Sequence, residues 1–98
     1  MNDLEFRKII LNSSSPYLVA PTGKWIDADR KEVDFSEMSK DWKMNCLKTL
    51  LKLEDTIEKG GFLDGVSFDR ERYYDEVLGK AISLFHKKCL ELGRELGY

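Results

Sequence analysis

The sequence predicts an α+β fold in one domain over residues 1–98. Its parts are a short N-terminal helix, a small antiparallel β-hairpin or meander, and a long antiparallel helical hairpin at the C-terminus. Three observations carry this. Met38, Trp42, Cys46, Leu50, Leu53 and Ile57 recur every three or four positions, as one face of a helix does. Tyr74, Leu78, Ala81 with Ile82, Phe85, Cys89, Leu92 and Leu96 repeat that period in the last third. Between residues 17 and 35, short apolar runs alternate with turn residues, the pattern of short strands.

In chain order, Asp3 to Leu11 reads as a short helix with Leu4, Phe6, Ile9, Ile10 and Leu11 apolar. Asn12 to Pro16 breaks it, because serine side chains bond locally to the backbone and proline fixes φ. Tyr17–Ala20 is a compact β-favouring run, Pro21–Gly23 a turn, and Lys24–Asp27 a second run. Ala28–Lys31 is polar and turn-like. The alternation over Glu32–Phe35 puts Val33 and Phe35 on one face. Two or three short strands follow from these runs. Ser36 and Ser39 are both candidate N-caps, and the next helix is expected to reach about Lys59. Leu47 and Leu51 widen its stripe. Gly60-Gly61 stops it, since glycine takes the left-handed cap cheaply. Phe62–Phe68 is a loop whose apolar residues should tuck under a helix end. Asp69 is the N-cap or first-turn acid of the last helix, which should be about 40 Å long. That exceeds what a globule with a radius of gyration of about 13 Å requires, and it predicts a homo-oligomer built on this helix.

Composition narrows the function. A chain of 98 residues buries somewhat over about 60% of its unfolded surface. That makes one thin core and argues against an enclosed active site, so no catalytic role and no cofactor are expected. There are 16 Lys and Arg against 18 Asp and Glu, a net charge of -2. The balance is local as well: residues 69–98 carry six of each sign. Nucleic-acid binding draws its energy from clustered cations, and no segment is basic. No run approaches the roughly 20 apolar residues of a membrane helix. Met1–Lys8 lacks the basic start and apolar stretch of a secretory signal, which predicts a reducing cytoplasm where disulfides are rare. Cys46 and Cys89 then read as small buried apolar residues.

Few constellations carry chemistry. His86 and Cys89 stand three apart on one helix, a metal-binding spacing, and Cys46 could join them. Four ligands are not reached, and a flanking His with a core Cys is the expected arrangement. No third group or oxyanion loop supports Cys–His nucleophilic catalysis. Asp27, Asp29, Glu32 and Asp34 cluster around the hairpin, but the sixth position from Asp27 is Glu32 and the twelfth Met38. A calcium loop needs Gly and Glu there, so a solvated turn is expected. The one concentration that suggests a ligand is Arg70, Arg72, Tyr73 and Tyr74 at the start of the last helix. A helix N-terminus offers free N–H groups to a phosphate, and tyrosines stack on bases. Lys24 and Trp25 of the hairpin could contribute. Against this stand Asp69, Glu71, Asp75 and Glu76, which neutralise the arginines, and the place of both tyrosines at the start of the core stripe.

Gly23 to Leu47 resembles a hairpin-then-helix module of short bacteriophage and prophage accessory proteins. That module reads W-x-x-x-(D/G)-x-x-(I/V), then x-M-(S/T), then N-x-(I/L)-x-x-L. Trp25, Met38-Ser39, Asn45, Leu47 and Leu50 occupy those places over about a quarter of the chain, and Val33 stands one position past the (I/V) place. Arg30 stands where Gly is common, and the usual His near Trp42 is absent. The resemblance implies an origin on a mobile element and life in the cytoplasm of a bacterial host. It further implies a non-catalytic binding role against host defence, by sequestering a nucleotide second messenger or by blocking a defence protein. The alternative is a structural or regulatory protein–protein interaction module that uses the long last helix.

Overall fold

The computed structural model describes all residues, Met1–Tyr98. Helix α1 spans Asp3–Leu11. Asn2 caps it, its Oδ1 accepting from the Glu5 N–H at 2.8 Å. Phe6, Ile9 and Ile10 are its buried face, one stripe at helical spacing. After Asn12 the serines act as expected and compete for local bonds. Ser13 Oγ donates to Ile10 O at 2.6 Å and accepts from Ser15 N–H at 3.0 Å.

The Tyr17–Ala20 run is not a strand. Pro16–Val19 forms a 3-10 turn, started by a proline whose ring presets φ for the first helical position. Tyr17, Leu18 and Val19 are all buried, so the run has no solvent face to make it alternate. The sheet therefore has two strands, β1 (Lys24–Ile26) and β2 (Glu32–Asp34), antiparallel with Trp25 opposite Val33. Asp27 closes the loop between them: its Oδ1 accepts from Asp29 N–H at 2.9 Å and Lys31 N–H at 3.0 Å. The acidic hairpin is thus turn chemistry.

Arg30 has φ 65°, a conformation glycine adopts without cost. Its guanidinium explains the arginine. Nε donates to Leu11 O at 2.9 Å and Nη2 to Ser13 O at 3.3 Å. These carbonyls lie at and beyond the end of α1, where acceptors are left over. The side chain so ties the hairpin tip to α1.

Helix α2 spans Lys40–Glu54. Of the two candidate caps Ser39 serves, its Oγ accepting from Trp42 N–H at 3.1 Å. Cys46, Leu50 and Leu53 face the core, but Trp42 is 39% exposed. The helix stops before Lys59. A separate 3-10 turn, Ile57–Lys59, keeps Ile57 in the core and ends on Gly60 at φ 71°. A Cβ on Gly60 would run into the Tyr74 hydroxyl. Phe62, Leu63 and Val66 of the next loop are buried, as their apolar character demands.

Helix α3 spans Arg70–Glu95, with Asp69 Oδ1 accepting from Arg72 N–H at 3.3 Å. Its buried residues are Val77, Ala81, Phe85, Lys88 and Leu92. Tyr74, Leu78, Ile82 and Cys89 of the expected stripe are only half-buried, so the face is turned by about one residue. Lys43 Nζ meets Glu95 at 3.2 Å, and the Tyr74 hydroxyl donates to Lys59 O at 3.4 Å. The two long helices therefore lie side by side in opposite directions. No short hairpin loop joins them; a folded segment, Asp55–Asp69, intervenes and packs into the core. All 21 buried apolar residues form one cluster.

The 26 residues of α3 measure about 39 Å at 1.5 Å per residue. The molecule is 41 × 24 × 20 Å with a radius of gyration of 13.2 Å. The helix is the spine of an elongated single chain and projects nowhere, so its length does not call for a second copy. No helix is long and apolar enough to cross a membrane.

Alkaline stability follows from burial. Burial pushes the Cys46 thiol up from 9.0 to about 11, and it raises Tyr17 and Cys89 in the same direction. The folded protein then keeps a proton that the unfolded chain loses. This stabilisation is complete below pH 9 and is lost as pH climbs toward 11. At about 1.4 kcal/mol per unit, Cys46 alone accounts for about 2–3 kcal/mol. Lys88, lowered by burial, opposes it. Urea denaturation across this range should show a smaller fall for Cys46→Ala than for the wild type; equal slopes would refute the assignment.

Candidate functional site

Of the residues expected to grip a phosphate and stack on a base, Arg70, Tyr74 and Trp25 are engaged within the fold, whereas Arg72 is exposed and Lys24 half-exposed. The Arg70 guanidinium lies 4.8 Å from the Phe68 ring centroid. Its Nη2 donates to Leu63 O and, at 3.0 Å, to Val66 O. It thereby gives Val66 O a donor and Leu63 O a second one beside the Val66 N–H. The Arg72 guanidinium packs over Tyr73 at 5.2 Å. Tyr74 is spent on Lys59 O and the Gly60 approach. Trp25 is buried and stacks on Tyr17, rings 2° from parallel and 4.4 Å apart. Lys24 Nζ stands 3.7 Å from Asp34 and 3.9 Å from Glu32.

Nor do the six residues converge. The Lys24 carbonyl touches Lys88 Nζ, and Lys88 lies eighteen residues along α3 from Arg70, about 27 Å at the helical rise. The structure holds Arg70, Arg72, Tyr73 and Tyr74 at one end of the spine and Lys24 and Trp25 toward the other.

The densest polar constellation is one that periodicity concealed. Lys88, 2% exposed, lies in the core face of α3. Its Nζ donates to Ala20 O at 3.2 Å, Pro21 O at 3.1 Å, Lys24 O at 3.0 Å and Glu91 Oε1 at 3.0 Å. The same Glu91 oxygen accepts from Gly23 N–H at 2.8 Å. The Phe35 ring centroid is 5.6 Å from Nζ. Burial lowers the Lys88 pKa, and the Glu91 carboxylate works against that. Four acceptors surround an ammonium with three protons, so no position is open to a substrate. Lys88 is a tether between α3 and the segment that leads into β1. Beside Lys87 it reads as the polar edge of the helix. The spacing Val77, Ala81, Phe85, Lys88, Leu92, with Glu91 three residues on from the lysine, is the signal that reveals it.

His86 is exposed at the flank of α3, its ring edge-on to Phe85 at 5.5 Å. Cys46 is buried, Cys89 half-buried, and both thiols are free. No three His, Cys, Asp or Glu side chains are grouped to hold a metal ion.

Two hollows remain. One of about 450 Å³ lies beyond Glu91 and is lined by polar groups of Thr22, Asp34, Ser36, Arg94 and Glu95. The other, about 440 Å³, runs between α1, the Pro16–Val19 turn and α3. Phe6, Leu18, Val19 and Leu84 give it an apolar lining, and Asp3, Arg7 and Lys80 are its charged residues. Arg7 Nη1 donates to Val19 O at 2.9 Å, which fixes one wall. Neither hollow is lined by any of the six expected ligand residues. No protein family, curated protein or solved structure matches the chain.

Two tests follow from this geometry. Lys88→Ala leaves Glu91 and three carbonyls without their cation and should cost about 3–5 kcal/mol in urea denaturation. Lys88→Met with Glu91→Gln should recover part of that, since Gln still accepts from Gly23. A neutral Lys88→Ala would overturn the tether. Separately, Arg70→Gln should lower stability by about 1–2 kcal/mol through the orphaned Val66 carbonyl, whereas Arg72→Gln should stay within about 0.5 kcal/mol. Equal losses would contradict the different roles assigned to the two arginines.

Proposed function

We propose that the protein is a non-catalytic accessory protein of phage type that counters host defence by binding and blocking a defence protein. The observation that carries the choice of target is the internal commitment of Arg70, Trp25 and Tyr74, which leaves the remaining cations, Arg72 and Lys24, toward opposite ends of α3. A nucleotide needs grouped free cations for its phosphates beside an accessible aromatic face for its base, and here Arg72 stands without a second free cation, over the ring of Tyr73. A protein partner requires less focused charge, because its interface is distributed. The open groove beside α1 supplies an apolar site of ligand size. The phage context rests on the hairpin-then-helix resemblance alone. Its marker residues Trp25, Met38 and Leu50 are all buried, which gives that motif a packing role. A regulatory interaction module built on α3 draws support from Leu90, 63% exposed on its outer side. Self-association through such residues would give a mass above 11.4 kDa in light scattering.

The discriminating experiment pairs calorimetry with capture. Titration of cyclic and ADP-ribose-type nucleotides should give only heat of dilution, and a defence effector should be retained at one-to-one yield and lose activity. Nucleotide binding tighter than about 10 µM would sink the protein-blocking reading.

A further inference from the structure

We propose that the groove between α1, the Pro16–Val19 turn and α3 takes an acidic peptide segment with an apolar anchor, presented by the partner protein. This rests on the protein-binding reading and names its docking site.

Three features select the occupant. The first is the apolar lining from Phe6, Leu18, Val19 and Leu84. A volume of about 440 Å³ is at the lower end of the range for small-molecule sites, and it suits one or two apolar side chains rather than a whole domain.

The second is charge. The whole chain has an excess of acids, but the groove has two cations, Arg7 and Lys80, against one acid, Asp3. Apart from the Arg7 Nη1 bond to Val19 O, both cations are held only by water-exposed pairs. Arg7 stands 3.5 Å from Glu32 and Lys80 3.6 Å from Glu76, with all four side chains 40–41% exposed. The Lys88–Glu91 pair is 3.0 Å with 2% and 12% exposure. Pairs that sit in water contribute little, so an incoming carboxylate exchanges for Glu32 or Glu76 at small cost. Lys80 Nζ also lies 5.5 Å from the Phe6 ring centroid. An apolar contact and a cationic contact are therefore adjacent, as an apolar residue flanked by acids requires.

The third is preorganisation. One wall is the Leu18–Ala20 strip. Arg7 holds its Val19 carbonyl and Lys88 its Ala20 carbonyl. A wall already fixed needs little ordering on binding.

The test uses the full chain, labelled with nitrogen-15, and two blocked pentapeptides. Each has a leucine–phenylalanine pair, flanked by glutamates in one and by lysines in the other. The glutamate peptide should move the amide signals of Phe6, Val19 and Leu84 and bind roughly fivefold or more tightly than the lysine peptide. Lys80→Glu, on a half-exposed side chain the core does not need, should remove or reverse that preference while leaving the rest of the spectrum unchanged. Equal affinities, no shifts at these amides, or shifts centred elsewhere would overturn the proposal. If a defence effector still binds Lys80→Glu at full strength with the glutamate peptide in excess, the groove assignment falls and the protein-binding reading stands. If only nucleotides bind, that reading falls as well.

Discussion

A buried ammonium governs the way this chain closes. Lys88 cannot enter the core without oxygen acceptors, because an unpaired charge there costs several kcal/mol. Its own helix offers one, Glu91, three residues on. The rest come from 64 to 68 positions away, as the carbonyls of Ala20, Pro21 and Lys24. The hairpin register makes one of them available. The bonds from Phe35 N–H to Gly23 O and from Asp27 N–H to Lys31 O belong to the bonded pairs of the ladder, which alternate with non-bonded ones. Lys24 falls between them, so its carbonyl points away from β2 and toward α3. One lysine thus fixes the side of the spine on which the hairpin sits, and the Gly23–Glu91 bond fixes its height.

Much of this architecture is written in local rules. Asn2, Ser39 and Asp69 cap their helices through side-chain oxygens, and Gly60 takes a left-handed turn that side chains resist. Cys46, Leu50 and Leu53 follow helical period on to the core. Where the sequence misleads, a distant partner decides. Tyr17–Val19 has strand-like composition, but a strand needs a neighbour; packed beside β1, α1 and α3, the run forms a turn behind Pro16 instead. Lys88 looks solvated because nothing near it in sequence discloses three carbonyls from the hairpin side. The orientation of α3 follows: a stripe centred on apolar residues alone is one residue out, since the true centre includes a charge.

The expected ligand residues fail to converge for a related reason. Arginines and tyrosines at a helix start resemble an anion site only when the preceding loop is satisfied by itself. Here the loop after Gly60 turns sharply and buries Phe62, Leu63 and Val66; Val66 N–H satisfies the Leu63 carbonyl, and the Val66 carbonyl is left in need of a donor. Arg70 provides it. Arg30 does the same for α1. The local balance of positive and negative groups thus has a structural counterpart: several cations of this chain are consumed in closing backbone rather than in facing solvent.

That use of cations bears on where recognition can occur. Arg7 and Lys88 reach from different helices to one irregular strip, Val19–Lys24, and between them take four of its carbonyls. Between the 3-10 turn that ends at Val19 and the start of β1 the strip has only local backbone bonds, Ala20 N–H to Tyr17 O and Lys24 N–H to Pro21 O, so these two side chains fix where it sits. Its first residues, Val19 and Ala20, are also a wall of the apolar groove. Core closure and groove geometry are then a single problem: a change that frees Lys88 loosens the wall from behind, and one that removes Arg7 loosens it from the front. The recognition proposed for this surface would be by fixed shape with a small electrostatic bias, which suits a short segment of a partner protein better than a ligand whose affinity must come from charge.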